Sequence, residues 1–360
     1  MRCLVLATLA PLLYAASPQP VSELLRRAVQ EKRIAGAVVV VQQHGKKIFE
    51  EAAGYADLEH RRRMKVDDVF MIASSTKPLA ATTIMTLVDR GKLSLDDPIS
   101  KYFPEFQGAS TIRQALSHTS GMIGNDASDR LDPIRNFDRS LADAVNLLVR
   151  VPLAYQPGEK YSYGGASFCV AGRIAEMLTG MDFEAYLTQV LAKPLGMKDT
   201  VYRTGREDIL KRVVTLYQKK GGEFRKMKAV MEPPDRSGPR ESGFVLVPGG
   251  IYSTAADLIP FLQMHLNGGV YNGRQILSHS SVMEMRKKQT GKLAAEYGLG
   301  WTRSRMAPDG TALQFGHGGA YGTQLLVDTE QDLVAVILTQ MPSAEAKPFN
   351  TEMTKAILGR

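Results

Sequence analysis

At 360 residues, with roughly 150 residues to a domain, the chain has room for one large domain or two intimately joined ones. Its 44% hydrophobic and 23% charged content matches a folded globular protein and excludes intrinsic disorder, coiled coil and collagen-like repeats. The formal charge of +8 arises from basic patches at Arg61 to Arg63 with Lys65, at Lys219, Lys220, Arg225, Lys226 and Lys228, and at Arg286 to Lys288. These patches carry no interleaved aromatics and match no nucleic-acid module, so they point to weak attraction to an anionic envelope surface and not to DNA or RNA.

Met1 to Cys3 precede an apolar run, Leu4 to Tyr14, about half of the roughly 20 residues that a membrane span needs. One positive charge, that run and the small residues Ala15, Ala16 and Ser17 predict a secretory signal peptide over 1–17. The expectation is an exported protein, periplasmic or extracellular, with no integral membrane segment in the mature chain. Cleavage would remove Cys3 and leave Cys169, in the apolar run Phe168 to Ala171, as a buried thiol without a disulfide partner.

Val21, Leu24, Leu25, Ala28 and Val29 fall at helical spacing and predict an amphipathic helix over 21–30. Ala37 to Val41, a turn at His44-Gly45-Lys46 and Ile48 to Ala53 read as an antiparallel hairpin. A helix is predicted around Pro78 to Arg90, and others at Leu141 to Val149 behind Ser140, at Ser167 to Leu178 closed by Gly180, and at Phe183 to Leu191 behind Asp182. Gly221 to Gly250, rich in Gly, Pro and basic residues, reads as loops returning the chain to the sheet. Thr323 to Asp328 and Leu333 to Gln340 read as strands, and Asn350 to Leu358 as a last helix. The pattern is α+β: an antiparallel sheet built from both termini, about 18–73 and 245–360, with a helical part inserted at about 74–244 and the site between them.

Ser74-Ser75-Thr76-Lys77 places a hydroxyl and an amine on one helix face about one turn apart. Pro78 requires the helix to start within the four residues before it, which puts Ser74 at the helix mouth, where the dipole favours a developing alkoxide and the residue's own N–H is free for an oxyanion. A serine hydroxyl needs a base, and a lysine serves where burial or neighbouring cations favour its neutral form. Alone, the spacing equally fits an ordinary helix start. A second element, Pro157 to Gly165, delivers Tyr161 and Tyr163 ahead of the next helix, either for proton transfer or as ordinary amphipathic residues. A third, Phe315-Gly316-His317-Gly318-Gly319-Ala320, is a glycine-rich strand that either receives a ligand, with His317 orienting it, or simply turns.

Taken in order, Ala73-Ser74-Ser75-Thr76-Lys77, Tyr163-Gly164-Gly165 and His317-Gly318-Gly319 resemble the three active-site motifs of the serine β-lactamase and penicillin-binding protein superfamily. The resemblance extends to Leu116 to Met122, Pro157-Gly158-Glu159, Pro248-Gly249-Gly250, Ser253 to Leu258 and Tyr297 to Trp301, covering nearly the whole mature chain. It is nearest in style to class C β-lactamases, to DD-peptidases with a histidine in the third motif, and to family VIII esterases. It implies Ser74 as the acylated nucleophile, Lys77 as its base or proton carrier, and Tyr163 as the group that handles the leaving-group proton. The same likeness implies an oxyanion hole from the backbone N–H groups of Ser74 and Ala320, with His317, Gly319 and Gly165 along the substrate-binding wall.

Two positions depart from the pattern. Gly165 stands where the family usually has an asparagine whose amide binds the substrate's acylamino group and the lysine, and His317 stands where many members have a lysine. The first expectation is therefore a serine hydrolase acting on esters or small D-amino-acid amides. The alternatives are a DD-carboxypeptidase or class C-like β-lactamase acting on a cell-wall peptide or β-lactam, and a penicillin-binding sensor that does not turn over. His118 is read as a framework residue. His44, His60, His265 and His279 show no metal-ligand spacing, and no phosphate loop or dinucleotide fingerprint occurs, so neither metal nor cofactor is expected. The loops Gly124 to Phe137 and Gly221 to Gly243 are expected to set the substrate.

Overall fold

Alternation of β-branched side chains decides the centre of the molecule. In strand β1 (Gly36–Gln43), Val38 and Val40 join one apolar core, while Val39 and Val41 join another on the opposite face. A strand buried on both faces must lie inside a covered sheet. The computed structural model describes residues 18–125, 132–135, 139–228 and 244–359. The expected signal segment 1–17 lies outside them, as do 126–131, 136–137 and 229–243 of the two loops expected to set the substrate.

Strands β1, β2 (Lys46–Asp57), β3 (Arg62–Arg63), β4 (Thr302–Arg303), β5 (Gln314–Gly318), β6 (Gln324–Asp328) and β7 (Leu333–Thr339) form a seven-stranded antiparallel sheet in the order β4-β5-β6-β7-β1-β2-β3. Both ends of the chain thus meet in one sheet, with Val39 opposite Ile337 and Val40 opposite Val336. His44 and Gly45 make the β1–β2 turn with φ of 51° and 69°, the left-handed pair that a two-residue hairpin requires.

Helices α1 (Pro18–Gln30) and α5 (Ser343–Leu358) cover one face of the sheet, where Leu25 and Ala28 meet Val39, Ile337, Phe349 and Met353. Helix α4 (Ala255–Leu266) lies on the other face, against β1, β6 and β7. There it shares one continuous apolar core with α2 (Thr76–Asp89) and α3 (Ala166–Thr179). Ser140 and Asp182 cap helices at Leu141–Leu148 and Phe183–Leu187, and Gly180 ends α3 at φ 67°.

Three elements differ from the sequence reading. Helix α4 was not anticipated, and α5 starts at Ser343, seven residues ahead of Asn350. Each contains a proline in its second turn, Pro260 or Pro348. The carbonyl each proline deprives of a donor, at Ala256 or Ala344, belongs to an exposed residue that water can satisfy, so the helix continues. Within the stretch expected to be loops, Glu223–Lys226 pairs with Tyr217–Lys220 as a small hairpin turning at Gly221-Gly222, which carries much of one basic patch.

Candidate active site

The approach to Ser74 is set by backbone. Ala73 to Ser75 form one 3₁₀ turn that runs into α2, and Ala73 sits at φ 47°, a left-handed conformation that costs an alanine about 1 kcal/mol or more and persists only where its surroundings enforce it. The enforcement is visible. Ile72 N–H donates to Ile251 O at 2.9 Å, and the Thr323 hydroxyl donates to Ile72 O at 2.9 Å. Ser75, fully buried, donates its hydroxyl to His317 O at 3.2 Å, so the neighbouring serine is a stitch between the turn and β5.

Ser74 itself is half-buried and faces a cleft, whereas Lys77, one turn on, is only 3% exposed. Lys77 Nζ donates to Ser74 Oγ at 3.1 Å and to Pro248 O at 3.3 Å. Among the described residues no carboxylate pairs with this amine. It lies 4.5 Å from the centroid of the Tyr163 ring. The hydroxyl, the amine and the phenol ring therefore converge from α2 and from the loop before α3.

Tyr163 is carried by an extended segment whose neighbours are pinned. Asn125 N–H donates to Tyr163 O at 2.9 Å, and Gly164 packs so closely on Gly124 that a Cβ there would lie 2.9 Å from the Gly124 Cα. No hydrogen bond joins the Tyr163 hydroxyl to Ser74 or Lys77 within the described residues; the contact with Lys77 is through the ring face. Tyr161 is half-buried, and burial raises its phenol above the ordinary range.

The opposite wall is β5 and the turn after it. Gly319 N–H donates to Thr323 O at 2.8 Å, and Ser343 N–H donates to Ala320 O at 2.8 Å, which fixes the turn at both ends. A Cβ on Gly319 would lie 2.2 Å from both Ile72 O and Thr323 Oγ1, so only glycine lets this wall approach the Ser74 turn. The backbone N–H groups of Ser74 and Ala320 have no acceptor among the described residues.

His317 is buried and held at both nitrogens. Gly318 O, 2.8 Å from Nδ1, can only accept, so Nδ1 carries the proton and Nε2 accepts from the Tyr297 hydroxyl at 2.9 Å. Burial, aided by the Lys77 charge, brings its pKa down to about 3. A neutral imidazole with both nitrogens engaged braces the wall; neither nitrogen is free to face a substrate in this arrangement. Tyr297, read in the sequence only as framework, is the side chain that secures it, and the signal for it was the segment Tyr297 to Trp301 itself.

Gly165 starts α3, and a Cβ there would meet Pro248 Cγ at 3.2 Å and Ile134 Cδ1 at 3.3 Å. A side chain at 165 would thus start in tight contact with Pro248, whose carbonyl already holds the Lys77 amine. Cys169 is fully buried in α3, and burial pushes its thiol up to about 12, which makes it inert.

Ser74, Tyr163, Gly319 and Ala320 line one cleft of about 540 Å³, which extends to Lys347 and Thr351 on α5. Lys77 stands behind Ser74, while His317 and Gly165 lie behind the lining. The arrangement has the parts for acyl transfer: a hydroxyl at a helix mouth, an amine in contact with it, a phenol beside both, and two unengaged N–H groups.

The sequence model of the family described as beta-lactamase matches residues 21–356. Esterase EstB of Burkholderia gladioli is 30% identical, the match covering 87% of this chain and 88% of the relative. A protein named as a putative D-alanyl-D-alanine carboxypeptidase of Salmonella typhi is 26% identical over 82% of this chain and 76% of its own. In fold, the chain is similar to EstCE1, described as a hydrolase with promiscuous acyltransferase activity, with a TM-score of 0.82 at 22% identity, covering 94% of this chain and 97% of that one. It is also similar in fold to a penicillin-binding protein homologue of Pyrococcus abyssi, with a TM-score of 0.75 at 20% identity over 95% of this chain and 77% of that one.

Proposed function

This chain belongs to the beta-lactamase family, and from that premise we propose that it is a serine hydrolase cleaving esters or small D-amino-acid amides through an acyl-enzyme on Ser74. The observation that carries the reading is the 3.1 Å contact of Lys77 Nζ with Ser74 Oγ, the serine facing the cleft and the lysine buried behind it. Ser74 Oγ attacks the carbonyl carbon as Lys77, acting as a neutral amine, takes its proton. The carbonyl oxygen takes up the charge, which the N–H groups of Ser74 and Ala320 receive. Tyr163 passes a proton to the departing alcohol or amine; water then attacks the ester on Ser74, giving one proton back to the Tyr163 oxygen, while Lys77 returns its proton to the serine.

Esters and small amides are favoured because Gly165 offers no side-chain amide for an acylamino group. A second reading, DD-carboxypeptidase or β-lactamase activity, draws support from Lys347, a cation on the far side of the cleft that a carboxylate-bearing substrate would meet. A panel of a p-nitrophenyl ester, a D-Ala-D-Ala peptide and nitrocefin separates the two. The ester should turn over fastest; nitrocefin turnover within about tenfold of it would displace the first reading. We also propose that the chain is exported and that 1–17 is removed on the way, supported by the apolar run Leu4 to Tyr14 and tested by N-terminal sequencing of protein recovered outside the cytoplasm.

A further inference from the structure

His118 is buried in the turn that follows the short helix Ile112–Leu116, and it holds a left-handed backbone at φ 60°. Its backbone carbonyl accepts the Ser162 N–H at 2.9 Å, and its ring Nδ1 accepts the Gly164 N–H at 3.3 Å. These donors are the residues on either side of Tyr163, whose own ring lies 4.5 Å from the imidazole, centroid to centroid. One residue thus grips the tyrosine at both flanks and against its ring. Because Gly164 N–H can only donate, Nδ1 must be bare and the proton must sit on Nε2.

The grip depends on a neutral ring. Burial first, and the Lys77 charge second, hold the His118 imidazole well below its ordinary range. The other rings around it are Tyr161, Tyr297 and Phe168, and among the described residues no carboxylate acts on it to favour the cation.

We propose that His118 is a positioning residue for Tyr163: it accepts hydrogen bonds from residues 162 and 164 and so fixes the direction in which the phenol meets the leaving group. This rests on the reading of Tyr163 as the proton-transfer group. A displacement of about 1 Å at such a group is enough to lose about a hundredfold in rate, so the grip acts on turnover and not on substrate affinity.

Two substitutions separate the acceptor from the ring. His118→Phe keeps an aromatic of similar size and removes the acceptor at Nδ1. His118→Asn removes the ring, offers an amide oxygen near the Nδ1 position, and tolerates the left-handed backbone. With the full chain and a p-nitrophenyl ester, His118→Phe should lower kcat by about 10- to 100-fold with KM within about twofold, and His118→Asn should recover kcat to within about fivefold of the parent. In a Tyr163→Phe background, His118→Phe should cost less than about twofold more, because the group it positions is already gone.

The proposal is overturned if folded His118→Phe keeps kcat within about threefold, if His118→Asn is no better than His118→Phe, or if the two losses multiply in the double variant. If His118→Phe does not fold, His118→Asn decides: near-parental kcat supports the grip, and a loss as large as that of Tyr163→Phe removes it. Undiminished turnover in Tyr163→Phe itself would instead strike the tyrosine's catalytic role, a separate failure.

Discussion

The two walls of the cleft are built on opposite plans. On the α2 side the side chains carry the chemistry: Ser74 faces the cleft and Lys77 reaches it from behind, 3.1 Å away. On the β5 side the side chains turn inward. His317 gives one nitrogen to Gly318 O and the other to Tyr297, Ser75 and Thr323 tie the strand to the serine turn, and what faces the cleft is mainly backbone of Gly318, Gly319 and Ala320. One wall reacts and the other sets distance. The lesson is that a motif residue conspicuous in the sequence, such as His317, need not touch the substrate to matter.

Substitutions sharpen this contrast. The largest effect belongs to Ser74→Ala, which should lower ester hydrolysis by at least about a thousandfold while circular dichroism and thermal unfolding remain those of the parent. Lys77→Ala and Tyr163→Phe should each lower kcat by at least about a hundredfold, the scale of lost acid–base help, measured under saturating ester. On the distance-setting wall, Gly319→Ala should cost about tenfold or more in kcat together with a lowered melting temperature, because its Cβ would fall 2.2 Å from Ile72 O and drive the wall away from Ser74. A Gly319→Ala protein with full activity would break the comparison.

Gly165→Asn tests the tight packing where α3 begins. Its Cβ would meet Pro248 and Ile134, so the substitution should not create nitrocefin turnover and should instead reduce ester hydrolysis by a few-fold, about threefold. The smallest effect is that of pH. His265 and His317 have folded pKa values lowered by burial to about 3 against an ordinary value near 6.5, so the unfolded chain binds more protons between these limits. Their contribution to stability is complete above about pH 6.5 and is lost as pH falls toward about 3, which urea titrations across that window would show. For the same reason the rate profile should contain no step from His317 between about pH 5 and 8.

The sheet was legible because its strands alternate or run apolar without interruption: Ala37 to Val41 and Leu333 to Gln340 identify the centre, and the return of the chain to it follows. Capped helices were legible for a local reason, since Ser140, Asp182 and Gly180 act within one turn of themselves. Helix α4 was hidden because it is apolar nearly all round and carries Pro260, and neither feature suggests an amphipathic helix. In the site, Ser74 and Lys77 are linked by their spacing alone, so the sequence brings them together. The roles of Tyr297, Pro248 and His118 depend on contacts between segments distant along the chain, 20 residues in the Tyr297–His317 pair and 171 in the Lys77–Pro248 pair, which no local pattern encodes.

The account stands or falls on a covalent bond to Ser74. Acid quenching of the protein during turnover of p-nitrophenyl acetate, followed by intact-mass measurement and peptide mapping, reads that bond directly. One acetyl group per chain on the peptide containing Ser74, absent from Ser74→Ala, is the predicted result. Acetyl on another residue with Ser74 unmodified, or steady turnover in Ser74→Ala at the parental rate, would contradict it.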